Sequence, residues 1–341
     1  MVTARELVLS HRPQGWIEPE CFTLVERKLP ALSPGQLLVR IDCFSVDPSM
    51  IPRLWLDTYA PAFELGVAVE ARAVGQVMQS AADGWSEGDW ATCWGGWRDY
   101  AVVDASDVTS IKPREGLPPH TWLHVLGVPG LTAYVGLVDV AQVQPGDRVW
   151  VSAAAGAVGS LAAQLAKTRG ASLVIGSAGG ADKARYLTGT LGLDAAVDYR
   201  DGRLGDQLRA VAPDGIDLYF DNVGGDHLEA AIDLLRIGGR GAICGMISGY
   251  GKPHGRGPGN LTQLIVKRLR LEGFLVLDHL HRRAAFEEEV LPQVEDGTLH
   301  SDVTMFDDLE SAPQALHSLL DGAKLGKALV RPCGGPGQGA P

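Results

Sequence analysis

The five cysteines of this 341-residue chain, at positions 21, 43, 93, 244 and 333, never fall into a C-x-x-C pair. That scatter makes neither a disulfide framework nor a structural zinc site legible, and the thiols read as free and mostly buried. Basic clusters are missing too. With 41 acidic against 30 basic residues the formal charge is −11, which argues against a nucleic-acid partner, because phosphate backbones are held by clustered Lys and Arg. The densest basic run, Lys267 to Arg270, is interleaved with apolar residues and reads as the end of a helix running into a strand. No apolar stretch is long enough to span a bilayer and the first residues lack a signal-type apolar core, so no membrane partner and a cytoplasmic location are expected. His279 and His281 form the one candidate metal pair; on a strand they share a face, but no third ligand lies near them in sequence, and no metal is expected.

What is present changes period along the chain. Before about residue 120 the sequence is short β-runs separated by Pro and Gly, such as 36–41, 73–78 and 99–103, the pattern of a partly closed antiparallel barrel. From Asp147 onward strands and helices alternate: strands over 171–175, 195–199, 216–220, 241–244 and 271–276, with helices over 183–191, 225–235 and near 260–268. That alternation predicts an α/β fold with a doubly wound parallel sheet. The expected division is 1–121 with 302–341 as a substrate or catalytic barrel domain and 122–301 as a nucleotide-binding domain. Residues after Cys333 are expected to be disordered.

The segment from Val149 to Gly159 is a β-run entering a glycine turn and then a helix, the geometry that lays a dinucleotide pyrophosphate on a helix N-terminus. The first glycine of G-x-G-x-x-G is replaced by Ala154. Gly156, Ala157 and Val158 are candidate phosphate contacts, and Gly159 lets the helix pack on the sheet. NAD enzymes place an acid about 20 residues further on, at the ribose 2′-hydroxyl. Here the second strand, ending at Ile175, runs into Gly176, Ser177 and Ala178, with Lys183 on the first turn of the next helix. A hydroxyl and an ammonium suit a 2′-phosphate, so NADP(H) is favoured over NAD. Asp182 dissents, and an ordinary helix N-terminus with a solvated Lys183 is the alternative.

Residues 126–134, 153–159, 221–225, 243–250 and 272–276 resemble, in that order, motifs of the zinc-free medium-chain dehydrogenase/reductases, most closely the leukotriene/prostaglandin reductase and 2-alkenal reductase branch. The resemblance covers nearly the whole chain and implies a GroES-like barrel beside a Rossmann domain. Zinc-dependent members carry Gly-His-Glu and a cysteine-rich lobe; this chain reads Gly66 to Glu70 without the histidine and lacks the lobe. A site without a Lewis acid suits hydride transfer to the β-carbon of an α,β-unsaturated ketone or aldehyde, where conjugation spreads charge onto a carbonyl oxygen that hydrogen bonds can hold. A quinone reductase and a non-catalytic NADPH-binding protein are the alternatives.

The resemblance also implies roles. Thr132, Asn222, Phe274 and Val276 would surround the nicotinamide half, with Lys183 and Tyr199 near the adenosine phosphate; Cys244 and Ser248 would also contact the cofactor. Tyr250 would hydrogen-bond the substrate carbonyl as the catalytic residue; a loop tyrosine packing on the cofactor edge is the other reading. Ser49, Tyr59 and Trp94 are candidate substrate contacts. Ser49 and Ile51 depart from the family's Asp-Pro-Tyr-Met-Arg, and Lys324 stands where the family has an asparagine near the cofactor phosphates. Trp94 and Trp97 read equally as pocket lining or as barrel core. A small-molecule substrate and a homodimer, paired through the apolar edge 271–276, complete the expectation.

Overall fold

Seven strands precede the first helix in the computed structural model, which describes residues 2–15, 17–250, 257–322 and 324–333. They are β1 (Thr3–Leu9), β2 (Phe22–Lys28), β3 (Gln36–Ser45), β4 (Ala73–Ser80), β5 (Trp90–Cys93), β6 (Tyr100–Asp104) and β7 (Thr109–Ile111). They belong to the first of two units, 1–123 with 303–341. The ten-residue β3 organises that unit because it is apolar on both faces, with Leu37, Leu38, Val39, Ile41, Cys43 and Phe44 all buried. It pairs antiparallel with both β4 and β6. Trp97 settles the choice between pocket and core: it is fully buried and packs on Phe22 and Phe44, with ring centroids 5.3 and 6.1 Å away.

The second unit, 124–302, opens with α1 (Val128–Val135) and then alternates β8 (Arg148–Val151), α2 (Ala157–Thr168), β9 (Leu173–Ala178), α3 (Ala181–Gly189), β10 (Ala195–Asp198), α4 (Leu204–Val211), β11 (Ile216–Asp221), α5 (Gly225–Leu234), β12 (Leu235–Ile243), α6 (Thr262–Lys267), β13 (Arg270–Gly273) and α7 (Arg283–Glu295). All six strands are parallel, in the order β10-β9-β8-β11-β12-β13. The order reverses between β8 and β11, the switch point beyond whose carboxyl ends ligands bind in such sheets. Buried Trp150, Ile175, Val197, Tyr219 and Ile232 hold helices to the sheet. The chain then rejoins the first unit as β14 (Val303–Asp307), α8 (Ala312–Asp321) and β15 (Lys327–Arg331), with β15 antiparallel to β3. The architecture is therefore a doubly wound parallel Rossmann sheet and a partly closed, mainly antiparallel β-barrel unit.

Three sequence expectations need correction. The second strand of the parallel sheet runs to Ala178 rather than stopping at Ile175, because Gly176 is packed too tightly to turn outward: a Cβ there would lie 2.8 Å from Ala154, Leu187 and Leu193 side-chain atoms. The last strand ends at Gly273, not Val276. Its partner β12 stops at Ile243, opposite Gly273, so Phe274 and Val276 have no ladder to join. His279 and His281 consequently sit on a 3-10 turn, Val276–Arg282, with stacked rings 6.1 Å apart. Among the described residues no group of three His, Cys, Asp or Glu side chains is placed to hold a metal ion. The expected disordered tail, 334–341, lies outside the described residues, and no described helix is long and apolar enough to cross a membrane.

Candidate functional site

The turn from β8 into α2 is shaped by what cannot be there. A Cβ on Gly159 would stand 2.4 Å from the Ala153 carbonyl oxygen, and one on Gly156 would stand 3.2 Å from it. Both positions leave the α2 N-terminus bare, and no side chain caps it. The amides of Ala157 and Val158 thus begin a twelve-residue helix whose dipole favours an anion at that end. The left-handed residue of the turn is Ala153, at φ 48°. An alanine there carries strain that a glycine would not.

At the end of β9 the structure departs from the sequence reading. Ser177 is fully buried and its hydroxyl accepts the Trp150 indole N–H at 3.1 Å. Ser177 therefore faces the core and is withdrawn as a phosphate contact. Beyond it lies the turn Gly179–Gly180, whose Gly180 amide donates to Asp198 Oδ1 at 2.8 Å. Tyr199 and Arg200 close over Gly179, where a Cβ would meet the Arg200 Nε at 2.7 Å and the Tyr199 hydroxyl at 2.8 Å. Lys183 stands on the first turn of α3 and makes no ion pair among the described residues. Partial burial, and then the nearby Arg200 guanidinium, push its ammonium below the ordinary lysine value. Arg200 escaped the sequence reading. Its signal was an arginine directly after the last residue of the third strand and the candidate Tyr199.

The carboxyl ends of β8, β11 and β12 gather the candidates for the other half. The Asn222 side chain donates to the Ser152 carbonyl at 2.8 Å. Ser248 lies on a 3-10 turn and its hydroxyl donates to the Val223 carbonyl at 2.6 Å. Half-buried Tyr250 follows that turn, its hydroxyl 3.7 Å from where a Cβ on Gly245 would project. Burial, and then Asp221, push the Cys244 thiol up to about 12, so it is no nucleophile at neutral pH. The Thr132 hydroxyl donates back to the Val128 carbonyl within α1. Phe274 packs edge-on against Phe220, centroids 6.4 Å apart, and Val276 is buried.

The remaining candidates belong to the first unit. Ser49 is half-buried on the 3-10 turn Pro48–Met50. Tyr59 and Trp94 are more than half exposed, and the Arg72 guanidinium lies 4.9 Å over the Trp94 ring. Lys324 donates to the Gly326 carbonyl at 3.0 Å. Its neighbour Lys327, 1 % exposed, donates to Asp47 Oδ1 at 2.6 Å and to the Val46 carbonyl at 2.9 Å. Burial alone would raise the Asp47 carboxyl, but the Lys327 ammonium holds it below the usual carboxylate range.

Residues 5–111 match the family model described as the N-terminal domain of oxidoreductase, and residues 157–296 match the one described as zinc-binding dehydrogenase. The chain is 36 % identical over 338 residues to the NADPH-dependent curcumin reductase of Escherichia coli, covering 97 % of each. It is also 36 % identical to the NADP(+)-dependent 2-alkenal reductase of Nicotiana tabacum, covering 96 % of this chain and 97 % of that one. The crystal structure of CurA in complex with NADPH from Vibrio vulnificus superposes with a TM-score of 0.91 at 35 % identity, covering 97 % of this chain and all of the other. The chain belongs to the zinc-free medium-chain dehydrogenase/reductase family, in its 2-alkenal and leukotriene/prostaglandin reductase branch.

Proposed function

We propose that this protein is an NADPH-dependent reductase of the carbon–carbon double bond of α,β-unsaturated ketones or aldehydes, working without a metal. The observation that carries the reading is the bare α2 N-terminus beyond the switch point, in a chain whose relatives by name reduce alkenals and curcumin with NADPH. The cofactor is NADP(H). Ala157 and Val158 amides would hold its pyrophosphate, while Lys183, Arg200 and Tyr199 would hold the 2′-phosphate. Bound NADPH supplies the hydride. Tyr250 would donate a hydrogen bond to the substrate oxygen where negative charge builds, and Asn222, Thr132 and Phe274 would confine the nicotinamide. Ser49, Tyr59 and Trp94 would contribute to substrate binding. An enone and enal panel with identified products, run beside a quinone, is the test; consumption of NADPH by the quinone alone would refute the reading.

Lys183 makes no ion pair among the described residues and lies near the Arg200 guanidinium, so a phosphate dianion beside it would favour its charged form. Lys183→Ala is therefore expected to remove about 1–3 kcal/mol of the preference for NADPH over NADH, read by fluorescence titration of both cofactors. Equal affinities in the unaltered protein would sink the assignment. For the substrate side, Tyr250→Phe is expected to lower kcat on the order of 10- to 100-fold while NADPH affinity stays nearly unchanged, because the ring is kept and only the donor is lost. Steady-state kinetics beside cofactor titration separate the outcomes: normal kcat makes Tyr250 a packing residue, and weakened NADPH binding moves it to the cofactor.

We also propose a homodimer. The strand β13 is at the edge of the parallel sheet, and α6 together with the residue that precedes it exposes Leu261, Ile265 and Val266; unpaired edges and exposed apolar side chains are what a second copy covers. Light scattering at micromolar concentration should give twice the chain mass, and a monomer would contradict it.

A further inference from the structure

Asp221, the last residue of β11, has no exposed surface, yet only one side of its carboxylate is used. Oδ1 accepts four hydrogen bonds: from the Tyr219 hydroxyl at 2.8 Å, the Ser152 hydroxyl at 3.2 Å, and the Val223 and Gly224 amides at 2.9 Å each. Oδ2 is equally enclosed and accepts none among the described residues. The backbone carbonyl of the same residue accepts the Cys244 and Gly245 amides at 2.8 and 3.0 Å. Two further ties close the ring. The Ser152 hydroxyl oxygen accepts the Asn222 amide at 2.8 Å, and the Val223 carbonyl accepts the Ser248 amide at 3.1 Å.

A buried carboxylate is costly unless donors surround it, and a fold that needed only an acceptor here for stability would gain from sharing donors between both oxygens. The donors converge on Oδ1 instead, and they come from three elements that end at the same place: β8, the turn after β11, and β11 itself. Through its carbonyl, Asp221 also fixes the start of the loop that ends in Tyr250. Gly224 lies at φ 71°, and a Cβ there would meet Met246 at 2.9 Å, so the turn and that loop are packed in direct contact. Burial, and then Asp221 itself, keep the Tyr219 phenol well above its ordinary value, which maintains it as a donor to the carboxylate at any working pH.

We propose that Asp221 is a positioning residue: by collecting these donors on one oxygen it holds the 222–224 turn against the nicotinamide and aligns the Tyr250 loop with it. The inference rests on the NADPH reading above. It requires an acceptor at Oδ1 and no charge, so a neutral side chain of the same shape should serve.

The experiment compares Asp221→Ala with Asp221→Asn, reading the emission and anisotropy of the bound nicotinamide of NADPH, its dissociation constant, and kcat on an enone. Asp221→Ala is expected to lower the bound-nicotinamide emission and to reduce kcat on the order of 10- to 100-fold, the scale on which a small misplacement acts, with NADPH affinity nearly unchanged because the phosphates hold it. Asp221→Asn should recover most of both signals. The inference is overturned if Asn is as impaired as Ala, if Ala leaves emission and kcat intact, or if Ala loses NADPH affinity in step with kcat. Should Asp221→Ala fail to fold, Tyr219→Phe removes one of the four donors without emptying the core, and must shift emission in the same direction by a smaller amount. Absence of enone turnover in the unaltered protein would sink the proposed activity, while the emission comparison would still decide the role of Asp221.

Discussion

Asp47→Ala is expected to destabilise the protein by about 3–5 kcal/mol, the usual consequence of stripping a buried charge of its partner. Lys327 is the cause: its ammonium is 1 % exposed, and its partners among the described residues are the Asp47 carboxylate and one carbonyl, that of Val46. Deleting the acid leaves a cation with nowhere to find water. Lys327→Met should cost far less, because it removes the enclosed charge and fills the same volume, leaving behind an Asp47 that is partly exposed and can be hydrated. Urea unfolding of the two single variants checks the asymmetry. Equal losses would mean that the pair acts through its charges symmetrically and that enclosure of Lys327 is unimportant.

The second large effect is acid sensitivity traced to His227. Its imidazole is 7 % exposed, stacked on Trp150 at 5.9 Å and edge-on to Tyr199 at 5.2 Å, and its Nε2 has no hydrogen-bond partner among the described residues. Burial pushes it from the ordinary 6.5 down to about 4, with Asp226 opposing weakly. The folded protein therefore keeps His227 neutral where the unfolded chain is already protonated. As pH falls from about 6.5 to about 4 the unfolded state takes up a proton that the folded state refuses, so stability falls through that window, by about 3 kcal/mol in all. Above the window this residue contributes no pH dependence. His227→Phe retains an aromatic ring against Trp150 and removes the titration. The difference in unfolding free energy between the two proteins should grow in favour of Phe as pH is lowered from 7 to 4.5; a constant difference would show that His227 does not titrate in this range.

Much of this architecture is written locally. The strand-to-helix turn at 149–159 and the alternation after Asp147 follow from nearest-neighbour chemistry, since glycines and apolar runs act within a few residues of themselves. Parity was harder to read. Ending the second strand at Ile175 made Ser177 a loop hydroxyl, whereas three more strand residues turn it inward to Trp150; the decisive constraint, crowding of Gly176 by Leu187 and Leu193, comes from residues that are distant until the sheet forms. The last strand was overrun for the same kind of reason, because its end is fixed by where β12 ends. Pairings across long separations were invisible. Asp47 and Lys327 lie 280 positions apart, and nothing near either one announces the other. Asp221 was in view as part of a motif, but its importance lies in burial and in the convergence of donors, which only the fold reveals.

The inward turn of Ser177 sets where cofactor preference can change. In many dinucleotide-binding sheets a single acid near this strand end selects the unphosphorylated cofactor; here the strand position already belongs to the interior, where a carboxylate would be a buried charge beside the Trp150 indole. On the proposed cofactor reading, adaptation toward NADH would instead run through Lys183 and Arg200. Neither side chain belongs to the buried core, so on that reading selectivity and stability would be set by separate residues.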